Sequence, residues 1–401
     1  MAKSKVALLT AGGMAPCLSA AVGSLIQRYT QRSPQLEIIG YRNGYQGVLT
    51  GRSMPVTAEV RAHAQILLKH GGSPLGNSRV SLANAADCVK RGFCAPGDDP
   101  MKIAAEQLRR DGITILHTIG GDDTNTVAAQ LAAYLARADH GLTVVGLPKT
   151  VDNDIAPISQ TLGAATAAEQ GARFFSNVVN EQSTSRRMLL VHEIMGRDSG
   201  WLTAATARAW RERLAGLEVL PEFNLPRQHL DIDAVYLPEM KMDLDAEAAR
   251  LKQVIEKKDS VILFVGESAC AAQILDDLQS RGEKIGRDAF GHIKLDAVNA
   301  GEWFASQFGK RIGAEKTLVQ KSGYFARSSA PNGEDLRLIG EMADLAVESG
   351  LAGRSGVIGH DEENGGTLAL IDFARIKGGR HFDLATPWFQ ELLTAIGQPG
   401  N

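Results

Sequence analysis

The sequence predicts an α/β fold built on mostly parallel sheet, and three observations carry that prediction. Short β-rich runs alternate with longer helical patterns along the chain, the order produced by strand, crossover helix and parallel strand. Strand after strand ends in glycine, carboxylate or a cation rather than in a bland turn. A chain of 401 residues, 44% hydrophobic and 22% charged, has the composition of a globular protein and the length for two or three compact units.

The elements follow in order. Lys5–Thr10 (KVALLT) is a strand that runs into Ala11-Gly12-Gly13, and the helix after it sets Leu18, Val22, Leu25, Ile26 and Tyr29 on one face. Leu36–Tyr41 is the second strand and Met101–Arg110 a helix. Ile113–Ile119 is a third strand ending in Gly120-Gly121-Asp122-Asp123; the helix Thr124–Ala138 follows, with Thr124 or Asp123 as its cap. Thr143–Leu147 is a fourth strand, stopped by Pro148-Lys149-Thr150. A second set opens with the helix Thr161–Val179, the strand Met188–Ile194 ending in Met195-Gly196-Arg197, and the helix Ser199–Ala209. Ala234–Leu237 and Val261–Val265 are strands, the latter ending in Gly266-Glu267-Ser268. Thr317–Gln320 and Tyr324–Ala326 read as strand pieces, Glu334–Glu348 as a helix and Thr367–Asp372 as one more strand. In parallel α/β sheets the ligand crevice lies beyond the carboxyl ends of the strands, so these endings are expected to converge.

Composition narrows the function. Forty-three basic against 46 acidic residues leave a formal charge of −3, which argues against a nucleic-acid binder. The four cysteines (Cys17, Cys88, Cys94, Cys270) lack the spacing of a zinc site and suit a reducing compartment. Nothing approaches the ~20 apolar residues of a membrane span, and the apolar run at the start is too short for a signal peptide. The expectation is a cytoplasmic protein with no membrane partner.

Three loops carry chemistry. Gly12-Gly13, between strand and helix, lets backbone N–H groups approach a phosphate, or is simply a tight turn. Asp122 and Asp123 repel each other unless a cation such as phosphate-bound Mg²⁺ neutralises them, or they are an acidic first helical turn. Pro148-Lys149-Thr150-Val151-Asp152-Asn153-Asp154 crowds a lysine and two carboxylates into one loop after a buried strand. There the lysine can neutralise a phosphoryl group, one carboxylate can take a proton and the other can hold metal. Arg197 can clamp phosphate, as can Arg186-Arg187 if they are more than a solvated pair. Glu267 can accept from sugar hydroxyls or serve as a first-turn acid. Cys17, at a helix start, is either a reactive thiol or a small buried residue.

The motifs GGDD(T), PKTVDND, MGR and VGES, in this order, resemble those of the phosphofructokinase family, most closely its pyrophosphate-using branch. The likeness runs from LLTAGGMAP through NGYQGVL (Asn43–Leu49) and GGSPLGNSR (Gly71–Arg79) to Lys321–Gly359. It implies two similar three-layer α/β domains with mostly parallel sheets and the active site in the cleft between them. Residues 1–158 with 328–375 would hold the phosphoryl donor and Mg²⁺, and 159–327 with 376–401 the sugar phosphate. By the same resemblance Asp152 is the base for the 1-hydroxyl of fructose 6-phosphate, assisted by Lys149 and Arg197, and Asp122 is the metal ligand. Gly13, Thr150, Asp154, Met195, Gly196, Glu267, Tyr324 and Arg327 would contact substrate, and Arg187 would reach the sugar phosphate of a neighbouring subunit, with Lys316 a weaker candidate. Tyr45 and Arg79 match positions on the nucleotide side of ATP-using relatives.

Such relatives carry glycine where this chain has Asp123 and Lys149. Side chains there take up the room an adenosine-bearing phosphate needs, and the lysine suits compact pyrophosphate. The resemblance therefore implies a homodimer or homotetramer that moves phosphoryl groups reversibly between pyrophosphate and fructose 6-phosphate in glycolysis and gluconeogenesis. The rivals are an ATP-dependent member of the family, a distant kinase sharing a GGD loop, and a catalytically silent subunit. Met14, where many relatives have aspartate, Ser19 for asparagine and Tyr324 for histidine depart from the family pattern.

Overall fold

The computed structural model describes residues 5–137, 140–282 and 299–400. The chain separates into two compact units, Met1–Thr166 with Arg327–Arg380 and Ala167–Ala326 with His381–Asn401.

Among the described residues of the first unit, seven strands form one sheet: β1 (Lys5–Thr10), β2 (Glu37–Tyr41), β3 (Ser53–Pro55), β4 (Ile113–Gly120), β5 (Thr143–Pro148), β10 (Gly356–Asp361) and β11 (Thr367–Ile371). Their spatial order is β11-β10-β5-β4-β1-β2-β3. The inner pairs are parallel and each edge strand is antiparallel to its neighbour. Helices Leu18–Arg32 and Gly333–Leu351 pack together on one face, and Pro100–Arg110 and Asp122–Ala136 on the other, giving three layers. The strand order reverses beside β1, with β2 on one side and β4 on the other, which makes the β1/β4 boundary the topological switch point. Register then lines up the strand ends. Thr10 pairs with Ile119 and Gly120 with Pro148, so the Gly12-Gly13 turn, the Gly121–Asp123 turn and Lys149 emerge side by side.

In the second unit β6 (Met188–Ile194), β7 (Ala234–Tyr236), β8 (Ser260–Gly266) and β9 (Lys316–Lys321) form a parallel sheet in the order β7-β8-β6-β9. Leu189, Val191, Val261, Leu263 and Val265 pack under Leu244–Lys258 and Ala300–Ile312. His192 and Phe264 meet Phe175 and Trp210 in an aromatic cluster. Ile194 is in register with Gly266, which sets the Met195–Arg197 loop beside Glu267.

Three local expectations need correction. Tyr324–Ala326 is not strand: Gly323–Arg327 is a short helix, begun by the Ala326 N–H donating to the Ser322 carbonyl. The helix expected over Thr124–Ala138 runs Asp122–Ala136 with Gly121 as its cap, so neither Thr124 nor Asp123 caps it. The buried Asn125 amide instead donates back to the Gly120 and Gly121 carbonyls. Strand β10 went unrecognised because its sequence, GVIGHD, is thinned by glycine. Gly359 is bare where Ile158 packs: a Cβ there would stand 2.8 Å from Ile158 Cγ1.

Candidate active site

The first unit gathers its chemistry around Lys149. This lysine is 3% exposed, and its Nζ donates to the Gly13 carbonyl at 2.6 Å. Gly12 has φ +87°, a left-handed conformation suited to glycine. A Cβ added there would lie 3.3 Å from Lys149 Nζ, so the ammonium lies directly over the turn. The turn itself is held from outside by Gly12 N–H donating to Ser78 O at 2.9 Å and Asn77 Nδ2 donating to Gly12 O at 2.7 Å. Burial lowers the Lys149 pKa, and Cys17, Asp152 and Asp154 partly restore it. Gly13 leaves open space about its Cα.

The loop after Lys149 is stapled by its own polar atoms. Asn153, buried at φ +50°, accepts from Thr161 N–H at 2.8 Å and Thr161 Oγ1 at 3.0 Å and donates to Ser159 O at 3.0 Å. The single Thr161 Oγ1 proton is shared between Asn153 Oδ1 and Thr150 O, the latter at 2.8 Å, and Asp152 N–H donates to Thr150 Oγ1 at 3.1 Å. These bonds leave the Asp152 and Asp154 side chains to be placed by a fixed backbone. Burial, and then the nearby Asp122, raise the Asp154 pKa, while its own backbone, the Thr150 hydroxyl and the Gly379 backbone oppose this.

Asp122 and Asp154 are thus neighbouring carboxylates at a helix N-terminus. No cluster of three His, Cys, Asp or Glu forms a metal cage among the described residues. A pair of carboxylates whose remaining ligand positions fall to phosphate oxygens and water is nonetheless the arrangement Mg²⁺ favours, so the residues present fit that ion. Asp123, also in the first turn of Asp122–Ala136, is exposed.

In the second unit Arg197 has φ +42° and follows Gly196 at φ +151°. Glu267 Oε1 accepts from Gly196 N–H at 3.1 Å and Arg197 N–H at 2.8 Å. Glu267 is therefore no first-turn acid: the next helix begins at Ala271, and the carboxylate holds the Met195–Arg197 loop. The Arg197 side chain is exposed, Met195 lies against Gly323, and Tyr324 is 80% exposed on the helix that ends with Arg327. A groove of about 990 Å³ lies beside this loop, but three carboxylates (Asp198, Glu239, Asp383) against one lysine, Lys241, make it a poor seat for a phosphate.

Other expected site residues bond within the chain. Arg187, expected to reach the sugar phosphate of a neighbouring subunit, is held in part by its own chain. Its Nε donates to Gly313 O at 2.6 Å and its Nη2 to Ile312 O at 2.8 Å, satisfying carbonyls at a helix C-terminus. The exposed cation beside it is Arg186, 3.8 Å from Asp259. Lys316 is exposed and donates to Thr184 Oγ1 at 3.3 Å. Tyr45 is buried, its hydroxyl donating to Thr124 O at 2.6 Å, so it does not line an open nucleotide site. Cys17 is fully buried and burial pushes its thiol well up, which excludes the reactive reading.

The phosphofructokinase family model matches residues 5–350. The chain belongs to the phosphofructokinase family. It is 61% identical over 395 residues to a pyrophosphate–fructose 6-phosphate 1-phosphotransferase of Methylomonas methanica, covering 98% of this chain and 97% of that one. It is 55% identical over 395 residues to the protein of that name from Propionibacterium freudenreichii, covering 98% of each. Among solved structures, the pyrophosphate-dependent phosphofructokinase of Marinobacter aquaeolei superposes with a TM-score of 0.72 at 18% identity, over 99% of this chain and 92% of that one. That likeness establishes the family fold.

Two features of the site had no place in the motif reading. One is the pair of buried amides, Asn125 and Asn153, that fix the two acidic turns. The other is the loop Lys377–Arg380, which crosses the PKTVDND segment: Ala156 and Lys377 exchange backbone bonds at 2.8 and 2.9 Å, and Arg380 N–H donates to Asp154 O at 2.9 Å. A glycine pair flanked by two cations was the available signal, and it resembles the other phosphate-facing turns of the chain.

Proposed function

We propose that this protein is a phosphotransferase that moves a phosphoryl group reversibly from pyrophosphate to the 1-hydroxyl of fructose 6-phosphate, giving fructose 1,6-bisphosphate and phosphate. The observation that carries the donor choice is the buried Lys149 ammonium seated over the Gly12-Gly13 turn. It fills the space beside the turn and supplies a compact charge, which suits a small, densely charged donor with no nucleoside to accommodate. The relatives at 61% and 55% identity, both named for the pyrophosphate reaction, support the same choice.

The residues divide the work. Lys149, Thr150 and the N–H groups at Gly13 bind the pyrophosphate, and Asp123 stands with Lys149 against a bulkier donor. Asp122 and Asp154 would hold Mg²⁺, which supplies charge neutralisation on the phosphate oxygens when bound. Asp152 takes the proton of the attacking hydroxyl. In the second unit Arg197 meets charge on the transferring group. Met195 and Gly196 line the sugar, the remaining oxygen of Glu267 accepts from its hydroxyls, and Tyr324 and Arg327 take its 6-phosphate. Arg187, held to its own chain through Nε and Nη2, would offer Nη1 to the sugar phosphate of a second subunit in a homo-oligomer. All four cysteines are unpaired, which suits a cytoplasmic setting; among the described residues no helix is long and apolar enough to cross a membrane.

The test is a coupled assay of the purified protein with fructose 6-phosphate and Mg²⁺, comparing pyrophosphate with ATP, and its reverse from fructose 1,6-bisphosphate and phosphate. Turnover with pyrophosphate in both directions is expected. Turnover with ATP alone would overturn the donor assignment.

A further inference from the structure

We infer that the loop Lys377-Gly378-Gly379-Arg380 is a positioning element for the two acidic residues of the donor site and so sets the affinity for the metal–pyrophosphate pair. The inference rests on the reading of that pair above. The returning chain brings this loop back to the first unit more than 200 residues after the PKTVDND segment, and three independent contacts aim it at the carboxylates.

The first contact is steric. Gly378 lies flat against Asp122, so that a Cβ on residue 378 would overlap the Asp122 carboxylate outright. Asp122 can point where it does only because residue 378 has no side chain. The second is electrostatic: the Gly379 backbone favours the charged form of the Asp154 carboxylate, next to the bond from Arg380 N–H to Asp154 O at 2.9 Å. The third is the Arg380 clamp: Nη2 donates to Asn153 O and Ile158 O, both at 3.1 Å, and Nη1 to Glu362 Oε2 at 2.7 Å. With Arg380 N–H on Asp154 O, one residue grips both ends of the segment that carries Asp154. A surface loop with no task would not place a bare Cα against one carboxylate and tie the backbone of its neighbour. These contacts would orient the carboxylates that hold the ion, and loss of such outer contacts costs about 10–100-fold in metal affinity.

Gly378 has no positive φ, so alanine there meets the carboxylate rather than a backbone restriction. In Gly378→Ala the Asp122 carboxylate must swing away. Binding of Mn²⁺–pyrophosphate to the full-length protein, followed by titration calorimetry and by the Mn²⁺ EPR signal, is expected to weaken about tenfold or more, with fructose 6-phosphate binding unchanged. In an Asp122→Gly background the same change should add no further loss, because nothing remains to collide with. Arg380→Lys, which keeps the charge but cannot span three acceptors, gives a second variant expected to weaken the same binding severalfold if Gly378→Ala fails to fold. Mn²⁺–pyrophosphate binding within twofold of wild type in both variants would overturn the inference, as would an equal loss of fructose 6-phosphate binding. Wild-type protein that takes up no Mn²⁺–pyrophosphate would bring down the donor reading itself and this inference with it.

Discussion

The two units hold their functional groups in different ways. In the first, the central cation is 3% exposed and bonded to the turn it serves, and the acidic loop is fixed by Asn153, Thr161 and Arg380 at more than one point each. In the second, Arg197 and Tyr324 are exposed, and one carboxylate, Glu267, carries the bonds to the loop that presents Arg197. The contrast suits the proposed division of labour, with the donor on the first unit and the sugar phosphate on the second. Phosphoryl transfer from a small inorganic donor is catalysed by charges already in place, so the donor side gains from rigidity. A sugar phosphate has many handles and can be gripped by side chains that adjust on binding. The difference predicts that donor-side substitutions act through single dominant contacts, and sugar-side ones through the posture of a loop.

Asp152 gives the largest expected effect. Asp152→Asn keeps the size of the side chain and removes its basicity, so kcat should fall by about 10²–10⁴-fold, with fructose 6-phosphate still bound in equilibrium titration. Near-normal turnover would move the base elsewhere. Lys149→Met comes next. It removes the ammonium while filling its space, leaving the partly buried Gly13 carbonyl without its donor. A charge-assisted bond is worth about 1.5–3 kcal/mol, so the KM for pyrophosphate should rise roughly 10–150-fold against little change in the KM for fructose 6-phosphate. Parallel changes in both constants would mean that Lys149 supports the fold and does not select the donor.

Glu267 sharpens the comparison from the other side. Glu267→Ala strips the acceptor from Gly196 and Arg197, two residues in sparsely populated backbone conformations. Released, they should relax, and the KM for fructose 6-phosphate should rise about tenfold or more through the loop, even though Arg197 itself is untouched. Glu267→Gln, which keeps one carbonyl oxygen for the same two N–H groups, should recover part of that loss. If alanine and glutamine variants behave alike, the carboxylate acts on the sugar alone and the loop holds itself.

How much of this was legible in the sequence depended on whether a residue's task was local. Strands that end in glycine and charge, such as KVALLTAGG and TVVGLPKT, state their own geometry, since a continuous apolar run fixes the strand and the parallel order fixes where its end points. Arg187 could not be read that way: its partners, Gly313 and Ile312, lie 126 and 125 residues along the chain, and the β6/β9 pairing brings them together. Gly378 is a still harder case. Its function is the absence of a side chain beside a carboxylate more than 250 residues earlier, and no periodicity or motif encodes an absence. Tyr324–Ala326 misled for a simpler reason, because an aromatic pair favours strand on propensity while its neighbours close a helical turn.

The smallest effect separates the units by their buried histidines. His117 in the first shares a hydrogen bond of 2.7 Å with the Tyr29 hydroxyl. His192 in the second is enclosed by Phe174, Phe175 and Phe264, with neither ring nitrogen bonded among the described residues. Burial depresses both from the ordinary 6.5 to about 3. The unfolded chain therefore takes up protons below about pH 6.5 that the folded chain refuses until about pH 3. Stability present above pH 6.5 is lost progressively across that interval. His192→Leu removes one such group together with two unpartnered polar atoms, so urea unfolding should show equal or greater stability at pH 7 and a flatter decline toward pH 5. His117→Leu should flatten the acid decline as well but cost about 1–3 kcal/mol at pH 7, because it strands the buried Tyr29 hydroxyl. If His192→Leu destabilises the protein as much as His117→Leu does, the imidazole of β6 has a polar partner in solution, and the aromatic cluster around it is not the closed apolar box described here.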